Sequence, residues 1–268
     1  MNTIIKQRRV FEYLNLLLYA ATTISLIALE QKVVGLTLLA AGVIGLLFCS
    51  KEFRRNIFLI YVCLAILFVI PIGTTTALPH ALYMGVGLVM VVLLPLLVTK
   101  KIYKNDFIKF PSLREKGWDR RRLLYLLLTA AVAYLLIPYM LRDTNSYPNW
   151  YFENNAWSNI QAYVGLNAVG IWDELFFVCT VLAILRRFFT FTVANVAQAV
   201  LFTSFLYTLA FKGWSVVVIF LFALLQGYIF KKTKSLLFIL AIHLTVDLVL
   251  HLAIIHLLYP ESFPYFLT

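Results

Sequence analysis

Residues 235–258 read SLLFILAIHLTVDLVLHLAIIHLL, with no lysine or arginine and a single acidic side chain, Asp247. A helix rises about 1.5 Å per residue, so this run is long enough to cross roughly 30 Å of hydrocarbon. It is not alone. Working back towards the N-terminus, comparable apolar runs occupy 214–230, 192–211, 159–185, 123–141, 81–99, 57–73, 33–50 and 11–29. The pattern predicts an all-α polytopic membrane protein with about nine transmembrane helices.

Composition leads to the same solvent. Of 268 residues, 62% are hydrophobic and 13% charged, and the mean hydropathy is +0.89. A soluble domain is nearer half apolar and a quarter charged, so this chain could not clothe itself in polar surface in water. Its primary partner is the lipid bilayer. The net charge of +11 is carried in short loops between apolar runs, which argues against nucleic acid. Cys49, Cys63 and Cys179 lie in or beside apolar runs with no CxxC spacing and read as small core residues.

Alternate loops separate the charges by sign of face. Twenty of the 23 basic residues fall at Lys6–Arg9, Lys51–Arg55, Lys100–Arg122, Arg186–Arg187 and Lys231–Lys234, and only Lys32, Arg142 and Lys212 fall on the other side. The positive-inside rule then predicts a multi-pass protein of the cell membrane with a cytoplasmic N-terminus and an external C-terminus. The first run reads as an uncleaved anchor. The Lys100–Arg122 loop reads as a topology determinant touching anionic headgroups. The aromatic loop from Arg142 to Trp157 reads as an interfacial segment or a substrate entrance. Residues 1–158 form one unit, the N-terminal helices with the basic loop, and residues 159–268 a second, core unit.

Charged groups inside a membrane helix cost a few kcal/mol each on insertion scales and mark candidate function. Here they are Asp173 and Glu174 in the sixth run and Asp247 in the ninth, accompanied there by His243, His251 and His256. Glu174 lies about 18 Å along a helix from Arg186, Asp247 about 20 Å and His243 about 14 Å from Lys234. The acidic pair and the His/Asp pair therefore occupy similar depths on different helices. His243, Asp247 and His251 share a helix face at i, i+4, i+8, which should turn inward. A buried polar staple between helices is the simpler alternative, contributing on the order of 1 kcal/mol. His80 and His256 read as interfacial or core histidines.

"WDELFF" at 172–177, then "RRF" at 186–188, then "FALLQGYIFKKTKSLLFILAIHLTVD" at 222–247 together resemble the CAAX protease and bacteriocin-processing family, CPBP. The resemblance covers about residues 165–255 and implies a helical bundle of CPBP type and an intramembrane endopeptidase. The family pattern is Glu-Glu-x-x-x-Arg, Phe-x-x-x-His and His-x-x-x-Asn. The glutamate pair falls on Asp173 and Glu174, and the arginine on Val178. The second motif aligns as Tyr207 to Phe211, with Phe211 in the histidine's place. The third keeps His243 and carries Asp247 for asparagine. In the family a glutamate and the second-motif histidine are thought to activate water, while the last histidine and the asparagine stabilise the oxyanion. Phenylalanine cannot accept a proton, and an ionised Asp247 cannot donate to an oxyanion; only a protonated Asp247 could substitute. Nothing resembles HExxH, and zinc usually takes three protein ligands plus water, so no metal and no cofactor is assigned.

Two functions follow from the resemblance. One is an endopeptidase with an altered site built from Asp173, Glu174, His243 and Asp247, acting on peptide or lipidated-protein substrates. The other is a non-catalytic relative that binds a peptide, a lipid or a membrane partner in the same cavity.

Overall fold

The computed structural model describes residues 2–75, 77–112 and 118–267, with side chains from residue 8 onward. Arg114 and Lys116 of the basic loop, and the side chain of Lys6, lie outside the described residues. All nine expected segments are helical. They comprise α1 (Asn2–Thr23), α2 (Lys32–Gly45), α3 (Lys51–Val69), α4 (Leu78–Leu97), α5 (Arg120–Asp143), α6 (Ala156–Asp173), α7 (Leu182–Leu185), α8 (Phe191–Thr208), α9 (Ser215–Thr233) and α10 (Leu236–Leu258). A π-helical segment, Glu174–Val181, joins α6 to α7 into one rod. Among the described residues, seven helices are long and apolar enough to cross a membrane. The two that fall short have physical reasons. Lys32–Phe48 is a shorter apolar helix, and α3 carries Lys51, Glu52, Arg54 and Arg55 in its first turns.

Helix ends follow local chemistry. Ser50 accepts a hydrogen bond from the Phe53 amide, Asp119 from Arg122, Asn155 from Ser158 and Ser235 from Phe238, each satisfying an amide that has no partner inside its own helix. Pro95 within α4 leaves the carbonyl of Val91 without its usual donor, because proline has no N–H. The Cys63 thiol of α3 donates to that carbonyl at 3.5 Å. All three cysteines are free and buried, as their apolar surroundings predicted.

Within the bundle α10 packs against α5 and α6, and α8 packs against α9. The most enclosed rod is Ala156–Leu185, and an aromatic cluster wedges it in place. Trp172 stacks on Phe176 at 5.1 Å and tilts against Phe205 at 4.8 Å, while Phe177 meets Phe202 at 4.9 Å. Trp172 also donates to the Leu88 carbonyl of α4 at 2.7 Å. Lipid is as apolar as these side chains, so close van der Waals packing and the few interhelical hydrogen bonds hold the rods together.

The basic loops gather at one end of the bundle. Arg187 pairs with Glu52, Arg55 lies over the Tyr103 ring at 3.8 Å, and Lys100, Lys109, Arg186, Lys231 and Lys234 line one hollow. At the opposite end Trp214 donates to Asp143 at 2.6 Å.

Candidate functional site

The residues singled out from their depth in the sequence come together. Asp173, Glu174, His243 and Asp247 are buried, with 1%, 0%, 4% and 4% of their surfaces exposed, so none of the four faces lipid. His243 Nδ1 lies 2.7 Å from Glu174 Oε1. His243 Nε2 lies 3.7 Å from Asp173 Oδ2 and 3.8 Å from Asp247 Oδ1.

Adjacent residues on an α-helix diverge by about 100°, so a neighbouring carboxylate pair would not normally address one imidazole. Here the helix changes pitch at that pair. The π segment begins at Glu174, and Thr180 Oγ1 donates to the Leu175 carbonyl, five residues back, at 2.9 Å. Such bulges are rare and frequently lie at functional sites.

Hydrogen bonding orders the cluster. Gln226 of α9 lies 3.2 Å from the Ile239 carbonyl and 2.7 Å from Glu174 Oε1, both through Nε2. A backbone carbonyl can only accept, so this nitrogen donates to both, and Glu174 Oε1 is an acceptor. His243 Nδ1 then carries the proton of its own bond to Glu174, which leaves Nε2 turned towards Asp173 and Asp247. A gap of 3.7–3.8 Å is too long for a direct hydrogen bond. Asp173 Oδ1, Glu174 Oε2 and Asp247 Oδ2 are buried and receive no hydrogen bond from the described residues.

A cavity of about 400 Å³ opens over the cluster. Asp173, His243 and Asp247 line it, whereas Glu174 sits behind the imidazole. Its walls are otherwise mostly apolar, from α5 (Leu128, Val132), α9 (Val218, Phe222) and α10. A second hollow of about 470 Å³, between α4 and α6, contains His80 and His251. Trp150, Leu166, Val169 and Leu209 line both. His251 therefore belongs to the neighbouring hollow, stacked on Phe152 at 5.6 Å, and does not join the cluster. His256 Nδ1 lies 2.8 Å from the Phe263 carbonyl, a structural bond.

Phe211 lines the cavity, but beyond the end of α8, against Trp150 at 5.6 Å. The pattern Phe-x-x-x-His has a second register in this chain, Phe202 to Leu206, both within α8. The Phe202 ring lies 6.1 Å from that of His243, and Leu206, one turn on, lines the cavity. In either register an apolar side chain stands where the pattern has histidine. Val178, in the arginine's place, is buried in the core.

Sequence reasoning missed Gln226 and Gly170. A methyl group on Gly170 would collide with Asp247 Oδ2, so glycine there admits the Asp247 carboxylate against α6. Among the described residues no group of three or more His, Cys, Asp or Glu side chains is arranged to hold a metal ion.

Residues 155–249 match the family model described as type II CAAX prenyl endopeptidase Rce1-like. The match covers 95 of the 268 residues and gives what this segment resembles. It contains Asp173, Glu174, Gln226, His243 and Asp247, and with the apolar helices it identifies a membrane protein resembling CAAX proteases. No curated protein and no solved structure matches the chain.

Proposed function

We propose that the protein is an intramembrane endopeptidase in which His243, held by Glu174, activates water for attack on a peptide bond in an apolar substrate. The observation that carries this reading is the 2.7 Å contact between Glu174 Oε1 and His243 Nδ1, with Nε2 turned into a cavity. In the neutral ring Nε2 holds a lone pair. It takes a proton from a water held between Asp173 and Asp247, and the hydroxide adds to the substrate carbonyl carbon. The proton then passes from Nε2 to the leaving amine as the C–N bond breaks. Asp247 serves the oxyanion only as the protonated acid. The apolar walls suit a lipidated or hydrophobic peptide, and the positive-inside pattern supports a cytoplasmic basic end.

A second reading has its own support. Leu206 near the end of α8, and Leu209 and Phe211 just beyond it, line the cavity and are all apolar, which fits a cavity that binds without cleaving. Proteoliposomes containing the purified protein, given prenylated and unmodified peptides, separate the two. Cleavage by the wild type that falls about 10²–10⁴-fold in both Glu174→Gln and His243→Ala supports the enzyme, that being the usual contribution of a general base. Uncut peptides that nevertheless stabilise the wild type against heat support the binding protein.

A further inference from the structure

A hollow of about 900 Å³ lies at the basic end of the bundle, away from the carboxylate–histidine cluster. Four separate stretches supply its cations: Lys100 after α4, Lys109 from the following segment, Arg186 and Arg187 after α7, and Lys231 and Lys234 at the end of α9. Asp106 is its one acidic lining residue. Among the described residues, Arg187 alone of the six has an ion-pair partner, Glu52. Topology signals explain why lysine and arginine populate these loops. They do not explain why the loops fold over a common concavity.

Local packing holds several of these cations in place. Ile108, 2% exposed, anchors the segment that carries Lys109, and the Arg187 guanidinium lies 4.4 Å from the Phe107 ring centroid. Arg186 and Lys231 share one aromatic ring, lying 5.5 Å and 4.1 Å from the Phe191 centroid. Their charges therefore sit within about 10 Å of each other, the Debye length at 0.1 M ionic strength. Like charges held so close repel unless an anion lies between them. Lys234 takes a left-handed φ of +55° at the helix end, a position glycine fills at lower cost. Beneath the cations the floor is apolar: Leu96, Val178, Cys179 and Leu182.

We propose that this hollow binds a phosphate-bearing anion, the headgroup of an anionic phospholipid whose acyl chain lies on the apolar floor. Cations among the five not paired with Glu52 meet the phosphate oxygens, and the floor supplies what a free phosphate has no use for. Cys179 and Val178 belong to the same π segment as Glu174, so one helical rod carries both part of the hollow's lining and part of the candidate site.

The test uses full-length protein in nanodiscs of phosphatidylcholine alone or with phosphatidylglycerol, followed by native mass spectrometry of retained lipid. The wild type should keep one phosphatidylglycerol through detergent exchange, and millimolar inorganic phosphate should not displace it. Two double variants on different elements, Arg186→Gln/Lys231→Gln and Lys100→Gln/Lys109→Gln, guard against misfolding of either. Each should weaken retention about thirtyfold, while Lys32→Gln/Lys212→Gln, at basic positions outside the hollow, should not. Equal retention of phosphatidylcholine, or full retention in a well-folded double variant, overturns the proposal. Displacement by inorganic phosphate overturns its lipid part and assigns the hollow to free phosphate.

Discussion

Glu174 and His243 stand 69 positions apart in the chain and meet at 2.7 Å, with Glu174 on the far side of the imidazole from the cavity. Position decides role. A group behind the ring cannot touch a substrate and can act only by fixing the tautomer and direction of the ring that does. If the protein is a peptidase, Glu174→Gln should therefore lower kcat about 10²–10⁴-fold and leave KM nearly unchanged. Asp173→Asn, which changes the cavity lining, should move both. Steady-state cleavage kinetics decide the matter; a Glu174→Gln effect confined to KM would sink the orienting role.

The second register of the Phe-x-x-x-His pattern makes a sharp comparison. Leu206 lies on α8 one turn from Phe202, whose ring meets His243, whereas Phe211 lies past the helix end against Trp150. Leu206→His should raise cleavage of peptide substrates, and Phe211→His should raise it less. The opposite order in a parallel assay would return the histidine position to residue 211.

Gly170→Ala tests the close approach of α6 to α10. Its methyl would meet Asp247 Oδ2, and neither helix has slack, since α6 is wedged by the Trp172 cluster. Overpacking of this kind costs about 1–3 kcal/mol. A lowered melting temperature in detergent is expected, and an unchanged one would show that the Asp247 side chain moves freely.

Gln226→Leu removes one of the two donors to Glu174 Oε1 while keeping bulk. Glu174 Oε1 keeps its bond to His243 and loses one of two, a net cost of about 0.5–1.5 kcal/mol, so the melting temperature should fall. Peptide cleavage should fall with it. A variant as stable as the wild type would mean that Glu174 recruits another donor.

The orientation can be read by labelling. Single cysteines at Asn105 and at Asn154, in a background with the three native thiols replaced, should react with a membrane-impermeant maleimide from opposite sides. Asn105 should be reached only after the cell membrane is permeabilised. External labelling of Asn105 in intact cells would reverse the topology.

The sequence made the helices legible because each apolar run states its own solvent, and the expected runs at 192–211 and 235–258 match α8 and α10 closely. Among the described residues seven helices are long and apolar enough to cross, and apolar runs such as 33–50 and 57–73 do not themselves show how short or how charged the helices that carry them are. The convergence of Asp173, Glu174, His243 and Asp247 was legible because depth along a helix is a count of residues. Gln226 was not, because a neutral amide in an apolar run carries no cost signal that singles it out. Nor was the π segment Glu174–Val181, because an apolar run reads alike for either helical pitch. The register of Phe202 and Leu206 needed the end of α8, which the sequence alone did not fix.

Trp150, with Leu166, Val169 and Leu209, belongs to the walls of both hollows, the one over His243 and the one containing His251. The two hollows thus share one wall of four apolar side chains, of which the indole is the largest. Trp150→Ala would thin the partition between a chamber on the α5–α9 side of the bundle and one on the α4–α6 side.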